Sequence, residues 1–106
     1  ANLDLAVHCA IQGSFFSTGQ RCTASSRLIV TDGIYENFVD RMSEAMKELR
    51  VGDARAPDTQ IGPVASEAQL EINKSYVSQA EVDGATLASR SGQIDVKSPG
   101  YYFAPT

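Results

Sequence analysis

Residues 3–16 constrain this chain more than any other stretch. Leu3, Leu5, Ala6, Val7, Ala10, Ile11, Phe15 and Phe16 put apolar side chains around most of a helical circumference. Asn2 stands where an N-cap belongs. A helix on the surface of a small domain confines its apolar residues to one stripe, whereas one that is apolar nearly all round needs cover on several sides. This helix therefore predicts a body larger than the chain itself. The opening at Ala1 instead of Met, and a strand-like ending over 101–106, fit the same expectation of a piece of a larger unit.

The remainder alternates helices with strands. Residues 17–21 read as a polar loop with one glycine, and residues 27–31, with Leu28, Ile29 and Val30 at their centre, as a strand closed by the turn signal Asp32-Gly33. Asp32 is expected to cap a helix over 34–49, whose stripe of Ile34, Tyr35, Phe38, Val39, Met42, Ala45, Met46 and Leu49 repeats at helical spacing. Glu36, Asp40, Glu44 and Glu48 make an acidic row on another face, read as solvated. Residues 51–65 form a loop long for a compact domain, which predicts that it lies over another part of a larger structure. Ser66 and Gln69 make a capping-box pattern ahead of a helix with the apolar face Ile72, Tyr76, Val77 and Ala80, and Gly84 follows its end. A short strand over 85–88, a turn-rich stretch over 89–100 and a closing strand over 101–103 complete an α/β layering.

Composition narrows the function classes. With 106 residues, 42% of them hydrophobic, and a net charge of −4, the chain has neither the dense cationic face of a nucleic-acid or anionic-membrane binder nor the signature of disorder. No apolar run reaches the roughly 18–20 residues of a membrane span. Cys9, Cys22 and His8 are too few for a Cys/His zinc site, so no metal is expected. They also exclude a disulfide scaffold and a Cys-x-x-Cys redox protein.

The chemistry concentrates around Cys22. It follows the glycine-bearing loop Ser17-Thr18-Gly19-Gln20-Arg21 and precedes Thr23, Ala24, Ser25 and Ser26. A thiol attacks as thiolate, so a lone cysteine is a nucleophile only where its surroundings favour that form or a base lies near. Arg21 is a cation next door, and the Cys22 N–H in a short turn sits where an oxyanion is held. On residue type alone, an inert buried cysteine is the commoner case.

Phe15, three spacers, Gly19-Gln20, one residue, Cys22 and the small residues after it closely resemble the cysteine signature of the NAD(P)-dependent aldehyde dehydrogenases. Supporting similarities run along the whole chain: the helix that opens Asn2-Leu3-Asp4, then Val51-Gly52-Asp53, Ile61-Gly62-Pro63, Gly84-Ala85 and Gly100-Tyr101-Tyr102. The resemblance implies that Cys22 attacks an aldehyde carbonyl, that the adduct passes hydride to the nicotinamide of NAD or NADP, and that water releases the acid from a thioester. It also implies that the general-base glutamate lies upstream and a ribose-holding glutamate downstream, neither of them in this chain, and that the asparagine sharing the oxyanion belongs to the cofactor-binding domain, also outside it. No Gly-x-Gly-x-x-Gly is present.

Further roles come from the same resemblance. Gln69 matches a position that touches the cofactor ribose; completing the capping box is its other reading. Arg21 matches the residue lining the aldehyde pocket, as in branches that oxidise carboxylated semialdehydes, with 2-oxoglutarate semialdehyde dehydrogenases the most similar; facing backbone or solvent is the alternative. Phe16 would line the aldehyde tunnel, or else join the core. The resulting expectation is an α/β fragment of a Rossmann-like catalytic domain, helices packed on a mostly parallel sheet, spanning 1–106 without the cofactor-binding domain. The fragment would bind no cofactor by itself and would be inactive alone. It would belong to a cytoplasmic homo-oligomer acting on a small-molecule aldehyde, with no nucleic acid or membrane partner. The competing expectation is a truncated, non-catalytic module that self-associates or binds a partner.

Overall fold

The computed structural model describes residues 2–89 and 94–106, so the stretch expected to be turn-rich over 89–100 lies partly outside the described residues. Helix α1 runs Leu3–Phe15, and the Asn2 side chain caps it by accepting the Leu5 N–H at 3.1 Å. One face of α1, Val7, Ala10 and Ile11, is buried against Met42 and Met46 of α2, which runs Tyr35–Lys47. Phe38, Ala45 and Leu49 pack around this cluster, and the Asp4–Arg41 ion pair joins the two helices at the surface. The other face of α1 stays open: Leu5 is 58% exposed, and Ala6, His8 and Cys9 face solvent. The acidic row of α2 is exposed, as its spacing predicts.

Asp32 does not cap α2. The chain makes a 3₁₀ turn over Asp32–Ile34, closed by the Ile34 N–H on the Thr31 carbonyl at 3.1 Å, so Asp32 lies two residues too early. Ile34 becomes the cap residue, with no side-chain acceptor to offer. Helix α3, Glu67–Val82, follows its sequence signals at both ends. Ser66 Oγ accepts the Gln69 N–H at 3.2 Å, and the helix ends in a Schellman arrangement. There the Ala85 N–H reaches the Ala80 carbonyl at 2.9 Å, the Gly84 N–H reaches that of Glu81 at 3.1 Å, and Gly84 takes a φ of 88°. Only Leu70 of α3 is buried; the expected face is open, with Ile72 47% and Tyr76 74% exposed.

The expected mostly parallel sheet is not formed among the described residues. Pairing is limited to two isolated bridges, Val51 with Ile61 in parallel and Val64 with Tyr101 in antiparallel sense. Residues 27–31 and 85–88 run without ladder partners, and Ile29 is 99% exposed. A strand requires a neighbour to take its backbone groups, and these two segments instead both line an open groove of about 650 Å³ between α2 and α3. The Cα radius of gyration of 14.1 Å exceeds the roughly 13 Å of a closed domain of this size, as an open groove requires.

The loop over 51–65 is bonded to this chain's own residues. Its neck is closed by the Gln60 and Ile61 N–H groups on the Arg50 carbonyl at 2.9 and 3.0 Å, and by the Gly52 N–H on the Ile61 carbonyl at 2.9 Å. Ile61 and Val64 are buried, as are Leu70, Tyr102 and Ala104. At the loop's edge, Asp53 accepts from Arg55 Nε at 3.0 Å, Arg55 Nη2 at 2.7 Å, the Arg55 N–H at 2.9 Å and Ser98 Oγ at 2.8 Å. The Arg55 side-chain bonds, then its N–H, then Ser98 hold the Asp53 carboxyl well below the usual carboxylate range.

Candidate functional site

Cys22 is exposed, in a turn closed by the Ala24 N–H on the Arg21 carbonyl at 3.0 Å. Among the described residues its own N–H has no acceptor, so a backbone donor stands free beside the thiol. The chain reaches this position by an unusual path. After α1, Ser17, Thr18 and Gly19 take successive left-handed conformations, with φ of 54°, 59° and 67°. Each non-glycine residue held there costs roughly 1–2 kcal/mol, and a β-branched threonine is a true outlier. At Gly19 a Cβ would stand 2.9 Å from the Ser14 carbonyl oxygen, so glycine is required sterically as well as conformationally.

Several bonds hold this strained turn. Thr18 Oγ1 donates to the Gly62 carbonyl at 3.2 Å, and Gln20 Oε1 accepts the Ala65 N–H at 3.1 Å. Arg21 Nη2 donates to the Gln12 carbonyl at 2.7 Å, placing a cation at the C-terminal end of α1, which has no basic residue in its own last turn. Beyond the cysteine, the Ser25 N–H returns to the Gly13 carbonyl at 3.0 Å. Strain of this kind persists only where surrounding structure fixes it, and it gathers at functional sites.

The predicted site residues are thus placed as follows. Cys22 and Arg21 share the turn. Phe16 is half-buried and packs on the α1–α2 cluster. Gln69 lies in the first turn of α3, four residues from Ala65; its Nε2 donates to Asn73 Oδ1 at 2.9 Å, so the reciprocal half of the capping box is not made. That arrangement leaves Gln69 Oε1 as an acceptor suited to a sugar hydroxyl. The 106 residues hold no Gly-x-Gly-x-x-Gly for the phosphates of a dinucleotide. Sequence reasoning gave no role to Ser17, Thr18 or the Gln20 side chain. Gly19 was the one visible signal of a left-handed turn, and nothing in Ser17-Thr18 announces that it begins two residues earlier.

Both cysteines are free thiols. Among the described residues no cluster of three or more His, Cys, Asp or Glu could hold a metal ion, and no helix is long and apolar enough to cross a membrane.

Comparison with known proteins bears on the same residues. The pattern of the Aldehyde dehydrogenase family matches residues 1–106. The alpha-ketoglutaric semialdehyde dehydrogenase of Bacillus subtilis is 38% identical over 99% of this chain, and the betaine aldehyde dehydrogenase of Cereibacter sphaeroides 40% identical over 100% of it. This chain spans 22% of the length of each of these relatives. Among solved structures, an NAD+ complex of aldehyde dehydrogenase from Bacillus cereus superposes with a TM-score of 0.89 at 32% identity, covering 99% of this chain and 21% of that one. The aldehyde dehydrogenase of Brucella melitensis gives 0.90 at 30% identity, with the same coverage. The chain belongs to the aldehyde dehydrogenase family.

Proposed function

We propose that this chain is the cysteine-bearing part of the catalytic domain of an NAD(P)-dependent aldehyde dehydrogenase, and that Cys22 is its nucleophile. The observation that carries the reading is an exposed thiol beside a free backbone N–H, presented by a strained, multiply bonded turn. As thiolate, Cys22 adds its sulfur to the aldehyde carbon, and the carbonyl oxygen takes the negative charge opposite its own N–H. A nicotinamide cofactor, when bound, would supply the acceptor for the hydride that the carbon must lose to leave a thioester on Cys22. Water cleaves that C–S bond, giving the acid and the free thiol. The base for that water and most of the cofactor site are assigned to chain outside these 106 residues, with Gln69 Oε1 contributing a ribose contact. Isolated, the chain has no NADH-forming activity.

Arg21 and Phe16 are assigned to the substrate side, and the aldehyde to the carboxylated semialdehydes. Identity does not separate the Bacillus subtilis relative from the betaine aldehyde dehydrogenases, but charge does. Betaine aldehyde is a quaternary ammonium, which the Arg21 guanidinium repels, whereas a carboxylate pairs with it. Among the described residues one of the five guanidinium donors is engaged, on the Gln12 carbonyl, which fixes the group and leaves the others for a ligand. The extended segments 27–31 and 85–88 support a partial Rossmann-like domain whose remaining, mostly parallel strands fill the groove between them. The whole enzyme is assigned to the cytoplasm as a homo-oligomer.

The test is a chimera in which this chain replaces the matching stretch of the Bacillus subtilis enzyme. NADH should form with a carboxylated semialdehyde and disappear with Cys22→Ser. Arg21→Leu should lower kcat/KM for that substrate roughly ten- to a hundredfold, the scale of a hydrogen bond to a charged group, and much less for an uncharged aldehyde. Full activity in the folded Cys22→Ser chimera would end the reading. A second reading, a self-associating non-catalytic module, is favoured by the open groove and by Ile29, 99% exposed on the segment whose Leu28 and Val30 line it. Sedimentation of the isolated chain as a monomer at all concentrations would remove it.

A further inference from the structure

Resting on the assignment of Cys22 as nucleophile, we infer that Gln20 is a positioning residue: its side chain ties the cysteine's turn to the start of α3. The turn needs such a tie. Cys22 is exposed, so burial does not fix it. Its local closure, the Ala24 N–H on the Arg21 carbonyl, sets the shape of the turn but not its place in the molecule. Arg21 and Ser25 both bond to carbonyls of α1, so they register the thiol against that helix alone.

The bonds that run the other way come from Thr18 and Gln20. Thr18 Oγ1 reaches the Gly62 carbonyl at 3.2 Å, in the loop. Gln20 Oε1 accepts the Ala65 N–H at 3.1 Å, one residue before the Ser66 cap and four before Gln69. Gln20 is therefore the side chain that relates the thiol to the capped end of α3, where a cofactor ribose would lie. The residue is exposed and its bond competes with water. What it supplies is direction more than stability, and a displacement of about an ångström in a reacting group lowers the rate about a hundredfold.

The test uses the 106-residue chain with Cys9→Ser, so that Cys22 is its sole thiol, carrying a nitroxide label. Broadening of amide resonances over 65–69 reads the separation of Cys22 from α3, and hydrogen exchange at Ala65 reads the bond itself. Gln20→Leu should speed Ala65 exchange roughly three- to tenfold and weaken the broadening. Gln20→Glu, which keeps an acceptor, should restore both. In the chimeric enzyme Gln20→Leu should lower kcat roughly tenfold at unchanged KM, again with recovery in Gln20→Glu. If circular dichroism shows that Gln20→Leu has lost its helices, Gln20→Ser takes its place. Unchanged broadening and exchange, or an unchanged kcat when both have moved, overturns the positioning role. Activity surviving Cys22→Ser overturns the nucleophile assignment and leaves the label result standing.

Discussion

Adding a Cβ to Gly19 tests the geometry that presents Cys22. The φ of 67° there puts an L-residue in the left-handed region, at roughly 1–2 kcal/mol. The new Cβ would also stand 2.9 Å from the Ser14 carbonyl oxygen, a backbone atom that cannot swing aside. Moving the last turn of α1 to relieve it adds about 1–3 kcal/mol. Replacing a glycine also restricts the unfolded chain, which returns about 0.4–1 kcal/mol. Gly19→Ala should thus destabilise by roughly 2–4 kcal/mol, moving the urea midpoint by about 1–2 M at a slope typical of small domains. Two companions separate the contributions. Gly84 has φ 88° with open space around its Cβ direction, so Gly84→Ala carries only the conformational part, a net loss of about 0.5–1 kcal/mol. Gly33→Ala meets nothing within 4 Å and should be neutral or slightly stabilising. Urea unfolding of the three variants, followed by circular dichroism, should rank them Gly19, Gly84, Gly33 from most to least destabilised. Equal midpoints for Gly19→Ala and Gly84→Ala would refute the steric contribution; a wild-type midpoint for Gly19→Ala would refute the left-handed turn altogether.

Three further predictions follow from the packing and charges. Ile11→Val, on the buried face of α1, should lower stability by about 0.5–1.5 kcal/mol, while Leu5→Ala on the open face should change it by less than about 0.5 kcal/mol; urea midpoints of similar size for the two would contradict the burial pattern. Ser66→Ala should lose about 1 kcal/mol with its cap bond and Asp32→Ala almost nothing, a contrast that thermal melts resolve and that equal losses would erase. The folded carboxyl of Asp53 sits below its ordinary value of 3.8, so its contribution is complete above that pH and is lost as the pH falls through the folded value. The gap in urea midpoint between wild type and Asp53→Asn should hold steady from neutral pH to about 5 and shrink below 4; a gap that widens on acidification reverses the sign of the argument.

What could be read from the sequence was what local physics decides. Asn2, Ser66 and Gly84 mark helix ends because their side chains, or the lack of one, act on backbone groups within a few residues. The stripe of α2 foretold which residues meet α1, since Met42 and Met46 need only their own helix to stand on one face. Asp32 misled because a 3₁₀ turn over Asp32–Ile34 comes between it and α2, and no local pattern announces that extra turn. The strands over 27–31 and 85–88 were legible as extended segments but not as a sheet, because pairing depends on neighbours that no local pattern names. Cys22 stood out only through the spacing of Gly19, Gln20 and the small residues after it. The bonds that hold it, from Thr18 and Gln20 across more than forty positions to Gly62 and Ala65, have no local signature at all.

The closed neck of the loop has a consequence for how this segment tolerates change. With Arg50 joined to Gln60 and Ile61, the two ends of the excursion stay together whatever happens at its tip. Pro57 and Asp58 are exposed there. Lengthening a loop whose ends are already pinned adds little entropic penalty, since doubling the length costs only about 0.6 kcal/mol. A peptide tag inserted between Pro57 and Asp58 should leave Gly62 and Ala65 in place, and with them the thiol, making this tip a site for evolutionary insertion and for engineered handles alike.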